Sequence, residues 1–225
     1  RYVYRVYGLA FALTKVLVED GDHIKIGTIY STHLAQSMIE TKETLGANVM
    51  NRSFNGTFPG GDGVALVANN HPIASGTFSN LLTTAAALSQ TSLEQMLIQI
   101  RNAVDNNGKR ITLNPLKIVG GSSQVFQSEV LLKTPLRAGA ANNDINPVKS
   151  MGLLSQGQAN LSRITSTTAW WIQTDAQFGL SMMKRRALEK SMEGDFETDS
   201  MRYKSTERYV FGWTDPRTVY GTPGL

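Results

Sequence analysis

Met201-Arg202-Tyr203-Lys204-Ser205-Thr206-Glu207-Arg208-Tyr209-Val210-Phe211-Gly212-Trp213 is the clearest alternating run in the chain. Side chains of an extended strand point to opposite faces in turn. Met201, Tyr203, Ser205, Glu207, Tyr209, Phe211 and Trp213 therefore share one face, and Arg202, Lys204, Thr206, Arg208 and Val210 the other. Asp215-Pro216 closes the run. Its counterpart lies near the other end of the chain, where Ile26, Tyr30, Leu34, Met38, Thr41, Leu45 and Val49 recur at helical spacing. That pattern predicts a helix over residues 23–49, about 40 Å long, with Asp22 as its N-cap and Thr41 as the one break in the apolar seam. A helix long enough to cross a whole domain and a long half-polar strand, without regular βαβ alternation, predict an α+β fold.

Working outward, residues 1–18 read as extended, with Tyr2, Tyr4 and Val6 on one face. Pro59 to Gly63, Asn69 to Pro72 and Ser75 to Asn80 read as turns, and Val64 to Val67 as a short strand. Leu93, Met96, Leu97, Ile100 and Val104 form the stripe of a second helix, with Thr91 and Glu94 as a capping box and Gly108 as its stop. Leu116 to Val119 is a short strand. Ser122 or Ser123 caps a third helix that buries Val125, Phe126, Val130 and Leu131 and ends at Pro135. Arg137 to Ser150 is a polar loop. Ala169 to Gln173 and Leu180 to Arg185 are strands, and Trp170, Trp171 and Trp213 read as core.

The composition narrows the function. With 225 residues the chain can bury a real core. It has no cysteine, which excludes disulfide scaffolds, thiol catalysis and thiolate metal sites. No apolar run approaches the roughly 20 residues of a membrane span. The first residue is Arg1 rather than Met, so the chain reads as a fragment or a cleaved product. Charged residues make up 18%, against about 25% in an ordinary soluble domain. From Ser53 to Leu93 the only formal charge is Asp62, and from Met151 to Thr174 it is Arg163. Neutral loops of this kind suit contact between copies. The net charge is +4, but Lys184-Arg185-Arg186 is followed by Glu189, Lys190, Glu193 and Asp195. Interleaved signs point to a salt-bridged face or a subunit contact rather than a dedicated nucleic-acid site.

No stretch carries a strong catalytic motif. His23 and His33 lie too far apart on one helix to chelate a metal, which wants positions i and i+4. Gly60-Gly61-Asp62-Gly63 lacks the Lys-Ser/Thr of a phosphate-binding loop. Glu19, Asp20 and Asp22 do not have calcium-loop spacing. The expectation is no cofactor, no metal and no enzyme. A hydrolase built on a serine, His71 and Asp62 stays as an alternative, because triad members converge from anywhere in a sequence.

Six segments in order carry a resemblance. They are Asp62-Gly63-Val64-Ala65-Leu66 with His71-Pro72; Gly76-Thr77-Phe78-Ser79-Asn80-Leu81; Leu88-Ser89 before Leu93-Glu94; Asn143-Asp144-Ile145-Asn146-Pro147; Ala169-Trp170-Trp171-Ile172; and Arg208-Tyr209-Val210-Phe211-Gly212-Trp213-Thr214-Asp215-Pro216-Arg217. Together they resemble the major capsid proteins of tailed double-stranded DNA phages, with the Hong Kong 97-like fold, and look closest to the Mu-like major head subunit group.

The resemblance implies a division of the chain. Residues 1–18 would be the E-loop root and a P-domain strand, 19–60 the P-domain with its spine helix, 61–182 mainly the A-domain, and 183–225 the return to the P-domain. The E-loop and N-terminal arm would be incomplete. It implies a subunit that assembles with itself into hexamers and pentamers of an icosahedral head. Packaged double-stranded DNA would lie non-specifically on the inner face, with portal, scaffolding and decoration proteins as further partners and no membrane. The location would be the virion, after assembly in the host cytoplasm. Candidate inter-subunit residues are Arg185, Arg186 and Glu189 for charged pairs, and Asn143, Asp144 and Asn146 for contacts between A-domain loops. Some members of the fold weld subunits through a Lys–Asn isopeptide bond. This sequence has no Asn after Asn160, so the expectation is non-covalent assembly. An encapsulin-like cellular shell and a monomeric nucleic-acid-binding module are the remaining alternatives.

Overall fold

The computed structural model describes residues 2–137 and 144–225. In chain order the elements are β1 (Arg5–Leu13), α1 (Lys15–Glu19), α2 (His23–Asn51), β2 (His71–Ile73), β3 (Gly76–Phe78), α3 (Gln90–Arg101), β4 (Pro115–Gly120), α4 (Val125–Lys133), α5 (Pro147–Ser150), β5 (Gln158–Asn160), β6 (Trp170–Thr174), β7 (Leu180–Asp195), β8 (Ser200–Trp213) and β9 (Val219–Thr222). The α+β expectation holds. The chain divides into two compact units. Residues 1–46 and 182–212 form the first, and residues 47–181 and 213–225 form the second. The last residues join the second unit because β9 pairs with β6, Trp170 opposite Thr222 and Gln173 opposite Val219.

In the first unit, β8 is the middle strand of a sheet ordered β1-β8-β7. β1 runs antiparallel to it, from Arg5 opposite Tyr209 to Leu13 opposite Met201. The odd-numbered residues of β8 face α2, as the alternation predicts. Phe11 stacks on Tyr203 at 5.0 Å and meets Tyr30 edge-on at 5.6 Å, and Tyr7 stacks on Tyr209 at 4.7 Å. Within the first unit, Leu34 and Met38 are the helix's buried anchors. The predicted break at Thr41 resolves in an unexpected way. Thr41 is exposed and its hydroxyl donates to the Ser37 carbonyl at 2.8 Å. The seam instead passes through Lys42, whose Nζ lies 2.8 Å from buried Glu207 and 5.5 Å from the Tyr209 ring centre. One turn further on, Gly46 lies against Phe211.

The second unit is built on a four-stranded sheet, β5-β4-β6-β9. β4 is parallel to β5 and antiparallel to β6. Both faces of β6 are buried, which is why it reads as an unbroken apolar run. Trp170 and Ile172 point into a core with Leu93, Met96, Leu97 and Ile100 of α3, together with Ile118 and Tyr220. Trp171 points the other way, into a core with Met50, Leu66, Val67, Val119 and Val219. Each indole nitrogen finds an acceptor: Trp170 Nε1 donates to the Ala86 carbonyl at 3.1 Å, and Trp171 Nε1 to Ser53 Oγ at 2.9 Å. Full burial of such side chains stabilises by roughly 2–3 kcal/mol each. Trp213 is half-buried against the second core, and Gly60 makes room for its ring.

Five local readings change. Residues 15–18, read as extended, lie in the helix α1. Val64 to Val67 form no strand, although Ala65, Leu66 and Val67 are buried. The turns at 69–72 and 75–80 instead contain a hairpin, β2 with β3, His71 opposite Phe78. α3 is capped by Ser89 and Ser92, not Thr91 and Glu94: Ser89 N donates to Ser92 Oγ at 3.0 Å and Ser92 N to Ser89 Oγ at 3.2 Å. It ends at Arg101, well before Gly108, which sits at φ +79° in a separate turn. Neither Ser122 nor Ser123 caps α4, which follows a 3-10 turn with no side-chain cap, and Phe126 is exposed while Leu131 is buried.

Candidate functional site

The proposed triad residues do meet, but as part of a buried strut. His71 is 1% exposed. Its Nδ1 lies 2.6 Å from Asp62 Oδ2 and its Nε2 lies 3.1 Å from Asn80 Oδ1. The orientation of Asn80 is fixed independently. Its Nδ2 donates to the carbonyls of Leu66, Pro216 and Val219 at 2.7, 2.9 and 2.8 Å, and its Oδ1 accepts from Ala68 N at 2.9 Å. His71 Nε2 therefore carries a hydrogen and donates it to Asn80. The place a nucleophilic serine would take is filled by an amide oxygen. The hub ties the 62–68 segment, the β2–β3 hairpin and the C-terminal residues 216–219 together. Satisfying this many buried polar groups is a structural role. A nearby cleft of about 420 Å³, lined by Phe54, Val64, Val67, Leu81 and Pro223 among others, has no titratable side chain on its walls.

The expected inter-subunit residues fall into different situations. Arg185 is exposed, with its guanidinium 5.8 Å from the Tyr4 ring centre. Arg186 and Glu189 pair with each other at 3.4 Å, and Arg186 Nη2 also donates to Thr206 Oγ1 at 3.0 Å. Their first partners are thus within one chain. Asn143 lies outside the described residues. Asp144 is exposed. Asn146 is not a loop-tip contact: it is buried, caps α5 by accepting from Val148 N at 3.1 Å, and donates to the carbonyls of Leu131 and Thr134. Its side chain holds the loop onto α4 and is unavailable to a neighbour.

What the sequence reading missed is exposed apolar surface in the first unit. Val6, Leu9, Val16, Ile24, Ile39, Met182, Leu188, Met192 and Phe196 are each at least 40% exposed. The hidden signal lay in the even-numbered positions of β7, where Met182, Leu188 and Met192 alternate with Lys184, Arg186 and Lys190. Among the described residues no group of His, Asp and Glu could hold a metal ion, and no helix is long and apolar enough to cross a membrane.

Comparison with known families decides between the readings. The model of a family described as phage capsid protein matches residues 5–221. The chain belongs to the phage capsid protein family. It is a structural subunit that forms shells. Its fold is found again in solved structures. The protein of Mycobacterium phage Patience is 11% identical with a TM-score of 0.59, over 98% of this chain and 70% of that one. The capsid of cyanophage P-SCSP1u is 11% identical with a TM-score of 0.53, over 100% and 72%. The holo-SrpI encapsulin complex of Synechococcus elongatus PCC 7942 is 10% identical with a TM-score of 0.56, over 98% and 74%. At these identities the likeness is one of fold. No curated protein sequence matches the chain.

Proposed function

We propose that many copies of this phage capsid protein tile a closed icosahedral head around double-stranded DNA, as hexamers and pentamers held without covalent cross-links. The family match across residues 5–221 carries this reading. In it, the first unit acts as the P-domain, with α2 as spine helix, and the second as the A-domain. The exposed Met182, Leu188 and Met192, which share one face of β7, support the reading, because apolar surface gathered on one face marks a place that a partner covers. Each contact can be modest, since closure of a symmetric shell multiplies it. Arg185 and Asp144 stay as candidate contact residues. The net charge of +4 favours non-specific contact with DNA phosphates, which weakens steeply with salt. Portal, scaffolding and decoration proteins complete the expected partners, with the virion as destination and the host cytoplasm as the place of assembly. Electron microscopy of the purified full chain tests the reading. Rings or shells are expected, and denaturing electrophoresis of intact shells should give single subunits rather than ladders. A chain that stays monomeric under all assembly conditions would overturn it.

A further inference from the structure

Phe196 is 99% exposed, at the tip of the ribbon formed by β7 and β8. The turn that carries it is tightly built. Thr198 Oγ1 donates to Asp195 Oδ2 at 2.8 Å and shares a 2.6 Å hydrogen bond with Ser200 Oγ. Asp195 also pairs with Arg202, Lys15 Nζ reaches Asp199 at 2.7 Å, and Asp199 adopts φ +51°. A bare aromatic ring on a turn fixed by this many bonds gains nothing within its own chain. It is, however, pre-organised for docking, because little freedom remains to be lost on contact.

Charge indicates what it docks against. Glu193 and Glu197 lie three residues before and one residue after Phe196, exposed and without a cationic partner among the described residues. Lower on the same ribbon, Lys184 and Lys190 are exposed and without an anionic partner among the described residues. Strand alternation puts Lys184, Leu188, Lys190 and Met192 on one face of β7, and Leu188 and Met192 are 40% and 58% exposed. The tip thus offers an apolar ring with two carboxylates near it in the chain, and the stem offers apolar side chains with two ammonium groups on the same strand face. At about 3.3 Å per residue, Phe196 lies roughly 13 Å from Met192 and roughly 40 Å from Lys184 along one ribbon, and an extended ribbon cannot fold its tip back onto its own stem. Two copies can bring them together.

We propose that the Phe196 tip docks on the Lys184–Met192 face of β7 in a second copy of this chain. The contact joins two different surfaces, tip and stem, so it can pass from copy to copy around an axis and close a ring where the rotation between copies allows. Phe196 packs on the Leu188 side chain and the Met192 thioether. Glu193 and Glu197 face Lys184 and Lys190. This inference rests on the shell reading and names one contact within it.

The test uses the full chain and the lowest protein concentration at which shells appear. Phe196→Asp raises that threshold by about tenfold or more, as expected when a central aromatic anchor is lost, and leaves the melting curve of the subunit unchanged. The pair Glu193→Lys with Glu197→Lys blocks assembly, as does Lys184→Glu with Lys190→Glu, and the four changes together restore it. Shells of the Phe196→Asp chain at the wild-type threshold overturn the proposal. So does a fourfold variant no better than either pair. If the wild-type chain itself never assembles, the shell reading fails and this contact with it. Wild-type shells accompanied by Phe196→Asp shells refute the contact alone.

Discussion

The two units solve the problem of burial differently. In the second, the central sheet is covered on both sides: Trp170, Ile172 and Tyr220 lie in one core, and Trp171 and Val219 in another, all at 1% exposure or less. In the first, α2 covers one face of a three-stranded sheet, and the rest of the ribbon is left with Val6, Leu9, Leu188, Met192 and Phe196 in solvent. The second unit has the interior of an independent domain. The first has half of one. In a capsid subunit that difference is instructive, because surface that is unfinished in one copy is what neighbouring copies can complete.

The comparison can be broken at its strongest point first. Trp170→Ala removes a fully buried indole from the second unit and should cost about 3–5 kcal/mol in a urea titration. Leu9→Ala in the first unit, where Leu9 is 48% exposed, should stay within about 0.5 kcal/mol. Similar losses at both sites would erase the contrast. Next in size is Asn80→Ala. It leaves the carbonyls of Leu66, Pro216 and Val219 without their donor, for an expected loss of about 3 kcal/mol. If Asn80→Ala melts like the wild type, the hub does not hold the second unit together.

Alkaline titration probes both units at once. Burial raises the Tyr209 phenol to about 12, helped by the neighbouring Tyr7 and Glu207. Burial pushes Tyr220 higher still, with Asp215 adding to the rise and Arg217 opposing it. The folded chain holds these protons to higher pH than the unfolded chain, whose tyrosines ionise near 10.0. Their contribution is therefore intact below pH 10 and declines as pH rises through 12. Ultraviolet titration should show both phenols lagging behind a free tyrosine, and Tyr220→Phe should lessen the alkaline loss of stability.

The smallest effect belongs to the ribbon tip. The hydrogen bond from Thr198, helped by the Glu197 amide and Arg202, holds the Asp195 carboxyl below its ordinary value of 3.8, against the opposing effect of desolvation. A depressed carboxyl contributes stability above its unfolded value and loses it as pH falls through the folded one. The tip should therefore loosen only below about pH 4. Thr198→Val should move that loosening to higher pH, as read by amide exchange at Glu197. No movement would mean that the turn is held by other bonds.

The parts legible in the sequence were those with a long period. α2 and β8 each repeat one pattern over many residues, so noise in any single position averages out. Thr41 misled only locally, because Lys42 takes its place in the seam through Glu207. Short elements were harder. β9 is Val219-Tyr220-Gly221-Thr222, four residues with a glycine at the point where Trp171 needs room. The run at Val64 looked like a strand because it is apolar and buried, but nothing pairs with it along its length. β7 was recognised only as far as Arg185, since its polar remainder has no buried face to betray it. The Asp62–His71–Asn80 hub was invisible in principle. Two intervals of nine residues match neither periodicity, and Asn80 acts through backbone carbonyls that have no sequence signature. Asn146 was misassigned for a related reason. A polar residue in a polar loop looks exposed until its three partners are seen.

The unfinished first unit is what suits this chain to forming a shell. Cryo-electron microscopy of the purified full chain tests it most directly. Closed shells are expected, with the ribbon of β7 and β8 and the exposed apolar side chains of the first unit at contacts between copies. A monodisperse monomer, or shells in which that ribbon faces open solvent, would contradict it.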